Sequence, residues 1–103
     1  MKRRKIQPGE KVTVRMTVRD RELLLDHTFV DSEYPERLRP SPSGKGLIGE
    51  YTVDDLEDIL GHIAAEANHT EDRKMRKQLD ALFDKLLRIQ RSFDDGNWND
   101  SEI

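Results

Sequence analysis

Two histidines and a glutamate, His62, Glu66 and His69, form the pattern with the clearest potential for chemistry. At 100° per residue, the three side chains fall within about 60° of one another on a helix. Imidazole and carboxylate groups bind zinc, iron or manganese, and the Glu-x-x-His spacing occurs in di-metal sites of helical bundles, where Asp80 and Asp84 are the candidates for further carboxylates. The alternative is a solvated stripe in which His62 and Glu66 form an ordinary i,i+4 pair. Metal binding at these residues is therefore an alternative prediction, and no cofactor is predicted.

Basic residues near the start of the chain form a second candidate site, for a phosphate backbone or an acidic partner. The predicted contact residues are Lys2, Arg3, Arg4, Lys5, Arg15 and Arg19. The chain lacks interleaved aromatic residues, a glycine-rich clamp and a recognition helix, and its pI is about 5.6. Nucleic acid is therefore a disfavoured partner. The alternative is a solubilising terminus beside an edge strand that positive charge protects from aggregation.

Other chemistries lack the residues that they need. Without cysteine, disulfides, thiolate catalysis and thiolate metal sites are excluded. Gly-x-Ser-x-Gly and phosphate-binding glycine loops are absent, and the acidic residues 94–100 do not match a calcium loop. We therefore predict no catalytic residues and a non-catalytic protein.

Length and composition predict one small domain. The chain has 103 residues, of which 34% are hydrophobic and 38% charged, with a formal net charge of -3. That is enough apolar material for a small core. No apolar run approaches the ~18 residues of a membrane span, and no apolar segment typical of a secretory signal follows the basic start. We expect a cytoplasmic protein without a membrane partner.

The first half of the chain predicts strands around a loop. Residues 11–19 alternate strictly between apolar and polar side chains, which is typical of a half-buried strand. Residues 20–30 fit either a helix capped by Asp20 or a second strand. Residues 31–46, rich in proline, glycine and serine, indicate a loop. Residues 47–52 predict a short strand that pairs antiparallel with the first.

The second half predicts two amphipathic helices within residues 53–93. Thr52 and the acidic residues after it form an N-terminal cap, and Thr70 is the expected cap of the second helix. Asn68 is expected to end the first helix in a left-handed conformation. The apolar seams comprise Val53, Leu56, Leu60, Ile63 and Ala67, then Met75, Leu79, Leu82, Leu86, Ile89 and Phe93. A turn between the helices gives an antiparallel hairpin, and the alternative is one continuous helix.

Charge is strongly segregated along this half. Residues 50–72 contain eight acidic residues and no Lys or Arg, whereas residues 73–91 contain seven basic residues and two acidic ones. An antiparallel hairpin is expected to bring Asp54, Asp55 and Asp58 near Lys85, Arg88 and Arg91, and Glu66 near Arg73. Most of the segregated charge would then be neutralised within the molecule.

Together these features predict an α+β fold in which a small antiparallel β-sheet packs against an antiparallel two-helix hairpin. The domain boundaries are a flexible basic arm at residues 1–8, one domain at 9–93 and a flexible acidic tail at 94–103. The predicted function is that of a small interaction or regulatory protein with an unidentified protein partner. Because a two-stranded sheet is marginal alone, we also expect self-association as a homodimer. The basic strand face, the proline-rich loop and any uncovered helix seam are the expected contact surfaces.

Overall fold

The structure, a computed structural model, describes residues 4–5 and 9–94 of the chain. Lys2, Arg3 and residues 95–103 lie outside the described residues. In chain order the elements are β1 (Arg4–Lys5), β2 (Val12–Met16), α1 (Val18–His27), α2 (Glu33–Glu36), β3 (Arg39–Pro40), β4 (Leu47–Tyr51), α3 (Val53–His69), α4 (Arg73–Arg91) and β5 (Phe93–Asp94). The α+β fold predicted from the sequence is confirmed.

A three-stranded antiparallel sheet in the order β2–β4–β3 forms one layer of the fold. Val14 lies opposite Gly49, as expected for antiparallel pairing of the two predicted strands, and Arg39 of β3 lies opposite Ile48. The alternation of β2 buries Val12, Val14 and Met16 and exposes the residues between them. The remaining strands, β1 and β5, pair with each other in parallel.

Gly49 allows a tyrosine ring to pack under the middle of β4. A Cβ at Gly49 would lie 2.8 Å from Cε2 of Tyr51 and 3.0 Å from Cδ2 of Leu38. Tyr51 is completely buried and its hydroxyl donates to the Tyr34 carbonyl, so the ring has little freedom to move. We expect Gly49→Ala to destabilise the protein by about 1–3 kcal/mol in urea unfolding, the usual range for overpacking.

A second glycine supplies the control for this prediction. Gly61 is exposed within α3, and a Cβ there would meet no atom within 4 Å. Because alanine favours the helix by about 1 kcal/mol relative to glycine, Gly61→Ala is expected to stabilise the protein. Equal stability of Gly49→Ala and the unmodified protein would contradict the proposed packing under β4.

A capping box starts α1 directly after β2, so the strand ends earlier than the alternation alone predicts. The Asp20 amide donates to Oγ1 of Thr17 and the Thr17 amide donates to Oδ2 of Asp20, both at 2.9 Å. This reciprocal pair starts a helix at Val18. Residues 20–30 are therefore mainly helical, and the prediction of a strand through residue 19 is wrong at its end.

The segment at residues 31–46 contains short elements as well as turns. Asp31 accepts a hydrogen bond from the Glu33 amide at 2.9 Å, next to the one-turn helix α2. The two residues of β3 follow, and the chain then returns to β4 through Gly44 and Gly46, both of which have positive φ angles that suit glycine. The predicted loop thus contributes an edge strand to the sheet.

The two long helices form the predicted hairpin rather than one continuous helix. A capping box between Thr52 and Asp55 starts α3. The turn differs in detail from the prediction, because Thr70 is the C-cap of α3 and the Asp72 carboxylate caps α4. No described residue other than glycine has a positive φ angle, so the left-handed ending expected at Asn68 is wrong.

The apolar faces of the hairpin and sheet join in one core. Its fully or nearly buried members from the helices are Leu23, Leu24, Val53, Leu56, Ile59, Leu60, Ile63, Ala67, Leu79, Leu82 and Leu86. Burial of large side chains such as these stabilises a fold by roughly 1.5–3 kcal/mol each before entropy is counted. The sheet therefore packs against the helical hairpin.

The prediction that α3 and α4 neutralise each other's charges is wrong. Among ion pairs of the described residues, none joins α3 to α4. Asp55 pairs instead with Arg37, and Lys85 pairs with Asp20 of α1, with N–O distances of 2.9 and 2.8 Å. The two helices pack through their apolar seams, and Asp54 remains exposed at the start of α3.

Candidate binding groove

A groove of about 390 Å³ lies over the sheet where β3 ends. One side comes from β2 and the residue before it, the floor from β4, and the other side from the segment between α2 and β4. The lining residues are Lys11, Thr13, Arg37, Arg39, Pro40, Pro42, Ile48, Gly49 and Glu50. The structure thus brings together two surfaces that the sequence predicted separately, the basic strand face and the proline-rich loop.

The short length of β3 creates this groove. Arg39 and Pro40 pair with Ile48 and Leu47, so on the β3 side of β4 no strand of the described chain lies beside the residues from Gly49 onward. Proline lacks an amide hydrogen, which confines it to the edges of sheets. The Arg37 guanidinium instead donates to the Glu50 carbonyl at 3.3 Å. The Arg37 side chain therefore fills a hydrogen-bonding position at the edge of β4 that the backbone of a neighbouring strand would otherwise fill.

Arg37 is held in place by two carboxylates and two aromatic rings. Its Nη2 lies 2.6 Å from Oε1 of Glu33, and its Nη1 lies 2.9 Å from Oδ2 of Asp55. The guanidinium carbon lies 5.3 Å from the ring centre of Tyr34 and 5.4 Å from that of Tyr51, within the range of cation–π attraction. These contacts tie the segment after α2 to the first turn of α3, which fixes one wall of the groove.

The pKa values of this ion pair are shifted toward the charged forms. The hydrogen bonds to Glu33 and then Asp55 raise the pKa of Arg37 above its usual value. Partial burial raises the pKa of Asp55, but hydrogen bonds from the Thr52 backbone, Arg37 and the Thr52 hydroxyl outweigh it and lower that pKa overall. Both groups therefore remain charged throughout the neutral range.

Tyr51 lies below the groove and joins the sheet to α2. Its hydroxyl donates to the Tyr34 carbonyl, and the two rings meet edge to face with centres 6.2 Å apart. Burial raises the pKa of Tyr51 to about 12, while the nearby Arg37 opposes this shift. The buried ring is therefore a source of pH dependence on the alkaline side.

We expect stability to fall as the pH rises from about 10 to about 12. Tyrosine in an unfolded chain titrates near 10, whereas Tyr51 holds its proton until about pH 12 in the folded protein. The contribution of the protonated hydroxyl is fully present below about pH 10 and is lost as the pH passes the folded pKa. Urea unfolding at several pH values should show a smaller fall for Tyr51→Phe, which is expected to be about 0.5–1.5 kcal/mol less stable at pH 7. Equal alkaline slopes for both proteins would contradict this assignment.

The surface at the open side of the groove is positively charged, and it includes Arg15, which lies beside the lining residues. Lys11, Arg15 and Arg39 are exposed and form no ion pair with another described residue. Arg15 and Arg39 lie in one cross-strand row, on either side of Ile48. The groove also contains Glu50, so its charge is mixed with an excess of cations.

The other predicted basic residues lie apart from this row. Arg19 belongs to α1, where it contacts Glu22 at 3.2 Å and Gln78 at 2.8 Å. The backbone of Arg4 and Lys5 forms β1, beside β5. The sequence analysis predicted Arg15 as a contact residue but missed Arg37 and Arg39. The only local signal for these two is that they flank Leu38, which is buried.

The predicted metal-binding residues lie along α3 without forming a cluster. His62 Nε2 lies 3.8 Å from Oδ1 of Asp58, Glu66 is half-buried, and His69 is exposed at the last position of the helix. Within residues 9–93, no group of three or more His, Cys, Asp or Glu side chains is placed to hold a metal ion. Metal binding at these residues stays a prediction.

An acidic surface lies on the outer face of the same helix. An open depression of about 610 Å³ is lined by Asp54, Glu57, Asp58, Gly61, His62 and Ala65. The small residues at positions 61 and 65 leave room between the charged side chains. Half of its lining residues are acidic and none is Lys or Arg, unlike the groove over the sheet.

Comparison with known proteins gave no match to a family model, a curated protein or a solved structure. In the described part of the chain, none of the helices is both long and apolar enough to cross a bilayer.

Proposed function

We propose that this is a non-catalytic interaction protein that binds an acidic, extended segment of a partner protein in the groove over the sheet. One observation carries the proposal: apolar side chains, and exposed cations with no ion-pair partner among the described residues, surround the same stretch of β4, where β3 ends. An extended peptide can lie along such a site, as peptides do when they add to a sheet.

The charges of the groove favour an acidic ligand. Lys11 and Arg39 are exposed without an ion-pair partner among the described residues, whereas Arg37 is occupied by Glu33 and Asp55. Each exposed charge pair contributes only ~0–1 kcal/mol, so binding should be modest and should weaken as salt is added. The apolar surfaces of Ile48, Pro40 and Pro42 would contribute affinity that salt does not screen.

The lining favours a peptide over a nucleic acid. Single-stranded nucleic acids are usually bound on aromatic side chains beside a cationic path, but none of the described residues that line the groove is aromatic. Glu50 within the groove would also repel a continuous phosphate backbone. Nucleic-acid binding through the N-terminal arm and a cytoplasmic location stay predictions.

The test uses a labelled decapeptide in which glutamate alternates with valine, with fluorescence anisotropy as the readout. A decapeptide in which lysine alternates with valine is the matched ligand control. Arg39→Glu removes one cation and adds an anion in the groove, and Arg88→Glu makes the same change at an exposed position of α4. We expect the first variant to bind the acidic peptide at least about tenfold more weakly, a difference of about 1.4 kcal/mol, and the second to bind it normally.

Two results would overturn the proposal. One is equal affinity of the Arg39→Glu variant and the unmodified protein for the acidic peptide, and the other is a preference for the basic peptide. If the protein bound a labelled DNA duplex more tightly than the acidic peptide, and with a steep salt dependence, the nucleic-acid alternative would be supported instead.

A further inference from the structure

A short acidic stretch, segment 95–103, follows the last described residue of the chain. It contains Asp95, Asp100 and Glu102 but neither Lys nor Arg, and it also contains Trp98, the single tryptophan of the chain. Alternate side chains of an extended chain share one face, so Trp98, Asp100 and Glu102 would lie together. Segment 95–103 therefore has the composition that the groove is proposed to bind.

The described chain ends at the same end of the molecule as Lys11 of the groove. α3 begins two residues after Tyr51, which pairs with Val12. α4 returns along α3 with a similar length, 19 residues against 17, so its last turn lies beside the start of α3. β5 follows directly. Segment 95–103 therefore starts near the Lys11 end of the sheet.

Segment 95–103 is long enough to reach the groove around this end of the sheet. Asp94 pairs with Lys5, and Lys11 follows Lys5 by six residues. The Cα atoms of Asp94 and Lys11 are therefore no more than about 26 Å apart. The nine residues after Asp94 span up to ~30 Å when extended. The limit set by the chain thus permits the contact.

We propose that segment 95–103 occupies the groove of its own chain and competes there with the acidic segment of the partner protein. This inference rests on the function proposed above and adds a means of regulating it. Because the segment is attached to the chain, its effective concentration at the groove is in the millimolar range, so a weak contact is enough to compete. A partner must then displace the segment in order to bind.

The groove offers a complement to both kinds of side chain in the segment. Lys11 and Arg39 are exposed without an ion-pair partner among the described residues, and they are the cations that Asp100 and Glu102 would meet. The apolar surface for the tryptophan ring consists of Ile48, Pro40 and Pro42. Attraction between exposed charges is weak, which suits a contact that a partner has to replace.

The rival position for the segment is beside β1, whose two residues Arg4 and Lys5 are basic and pair with β5. Charge alone does not separate this position from the groove. A charge reversal inside the groove does, because it disturbs one position and leaves the other intact.

Fluorescence of Trp98 in the full chain reports where the segment lies, because no other tryptophan contributes. A tryptophan ring that leaves an apolar surface for water emits at longer wavelength. We expect a saturating amount of the unlabelled acidic decapeptide to produce this shift. Arg39→Glu should produce it without any peptide, whereas Arg88→Glu, at an exposed position of α4, should not.

Neutralising the segment tests the competition by peptide anisotropy. The neutral variant combines Asp95→Asn, Asp100→Asn and Glu102→Gln. The control makes the same change in net charge at exposed positions that form no ion pair with another described residue, by combining Asp26→Asn, Glu57→Gln and Asp80→Asn. We expect the neutral variant to bind the acidic decapeptide at least about threefold more tightly than the control does.

The results separate this inference from the function on which it rests. Trp98 emission that neither the peptide nor Arg39→Glu changes would overturn the inference, as would equal affinities of the neutral variant and its control. An emission maximum that depends on protein concentration would also overturn it, because the segment would then lie in the groove of a second copy. The proposed function fails separately, if the acidic peptide binds neither the unmodified protein nor the neutral variant.

Discussion

Replacing Leu86 by alanine is expected to destabilise the protein by about 2–5 kcal/mol, the largest effect of any single change considered. Leu86 of α4 is completely buried in the hydrophobic core. Its truncation removes buried apolar surface and leaves a cavity that a packed core only partly closes. Domains of this size have total stabilities of about 5–15 kcal/mol, so the loss is a large share of the whole. Urea unfolding followed by far-ultraviolet circular dichroism measures it.

The control for this change is on the same helix. Arg88 is exposed two residues further along and forms no ion pair with another described residue. Arg88→Ala should therefore alter stability by no more than about 0.5 kcal/mol. If the two variants were equally stable, α4 could not pack through its seam as described.

Replacing Arg37 by methionine is expected to lower stability by about 1–3 kcal/mol, the range for lost hydrogen bonds to charged groups. The variant keeps an apolar stem beside the two tyrosine rings but removes both ion pairs and the donor to the Glu50 carbonyl. Because the lowered pKa of Asp55 depends partly on Arg37, the stability that this carboxylate contributes is present above about pH 4 and is lost below it. The difference between the two proteins should therefore shrink in acid.

Arg37→Lys separates charge from geometry at this site. Lysine keeps the positive charge but cannot present the planar fork that reaches Glu33, Asp55 and a backbone carbonyl together. It should recover part of the stability lost in the methionine variant and bind the acidic peptide less well than arginine does. A methionine variant as stable as the unmodified protein at pH 7 would show that the Arg37 contacts do not hold the groove wall.

Local signals were sufficient to predict the main elements of the fold. The seam from Val53 to Ala67 is buried where the spacing predicts, because helix periodicity is a property of neighbouring residues. The end of β2 shows how two local signals compete. The alternation of valines continues to Val18, but the reciprocal hydrogen bonds of Thr17 and Asp20 begin a helix there.

The groove could be predicted only in part, because it depends on contacts between distant positions. Lys11 and Arg15 follow from the strand pattern, but Arg37 meets Asp55 across 18 positions of the chain. Residue spacing within one element carries no information about such a pair. The prediction of charge pairing across the hairpin failed for the same reason. Lys85 was expected to pair with an acidic residue of α3, but it pairs with Asp20 of α1.

Amide chemical shifts of the full chain, measured by two-dimensional ¹H–¹⁵N NMR during titration with the acidic decapeptide, test the central claim most directly. If the groove binds an acidic segment, the largest shifts will be those of Lys11, Thr13, Ile48 and Glu50 around its lining. Changes confined to α3 and α4, or no changes at millimolar peptide, would contradict it.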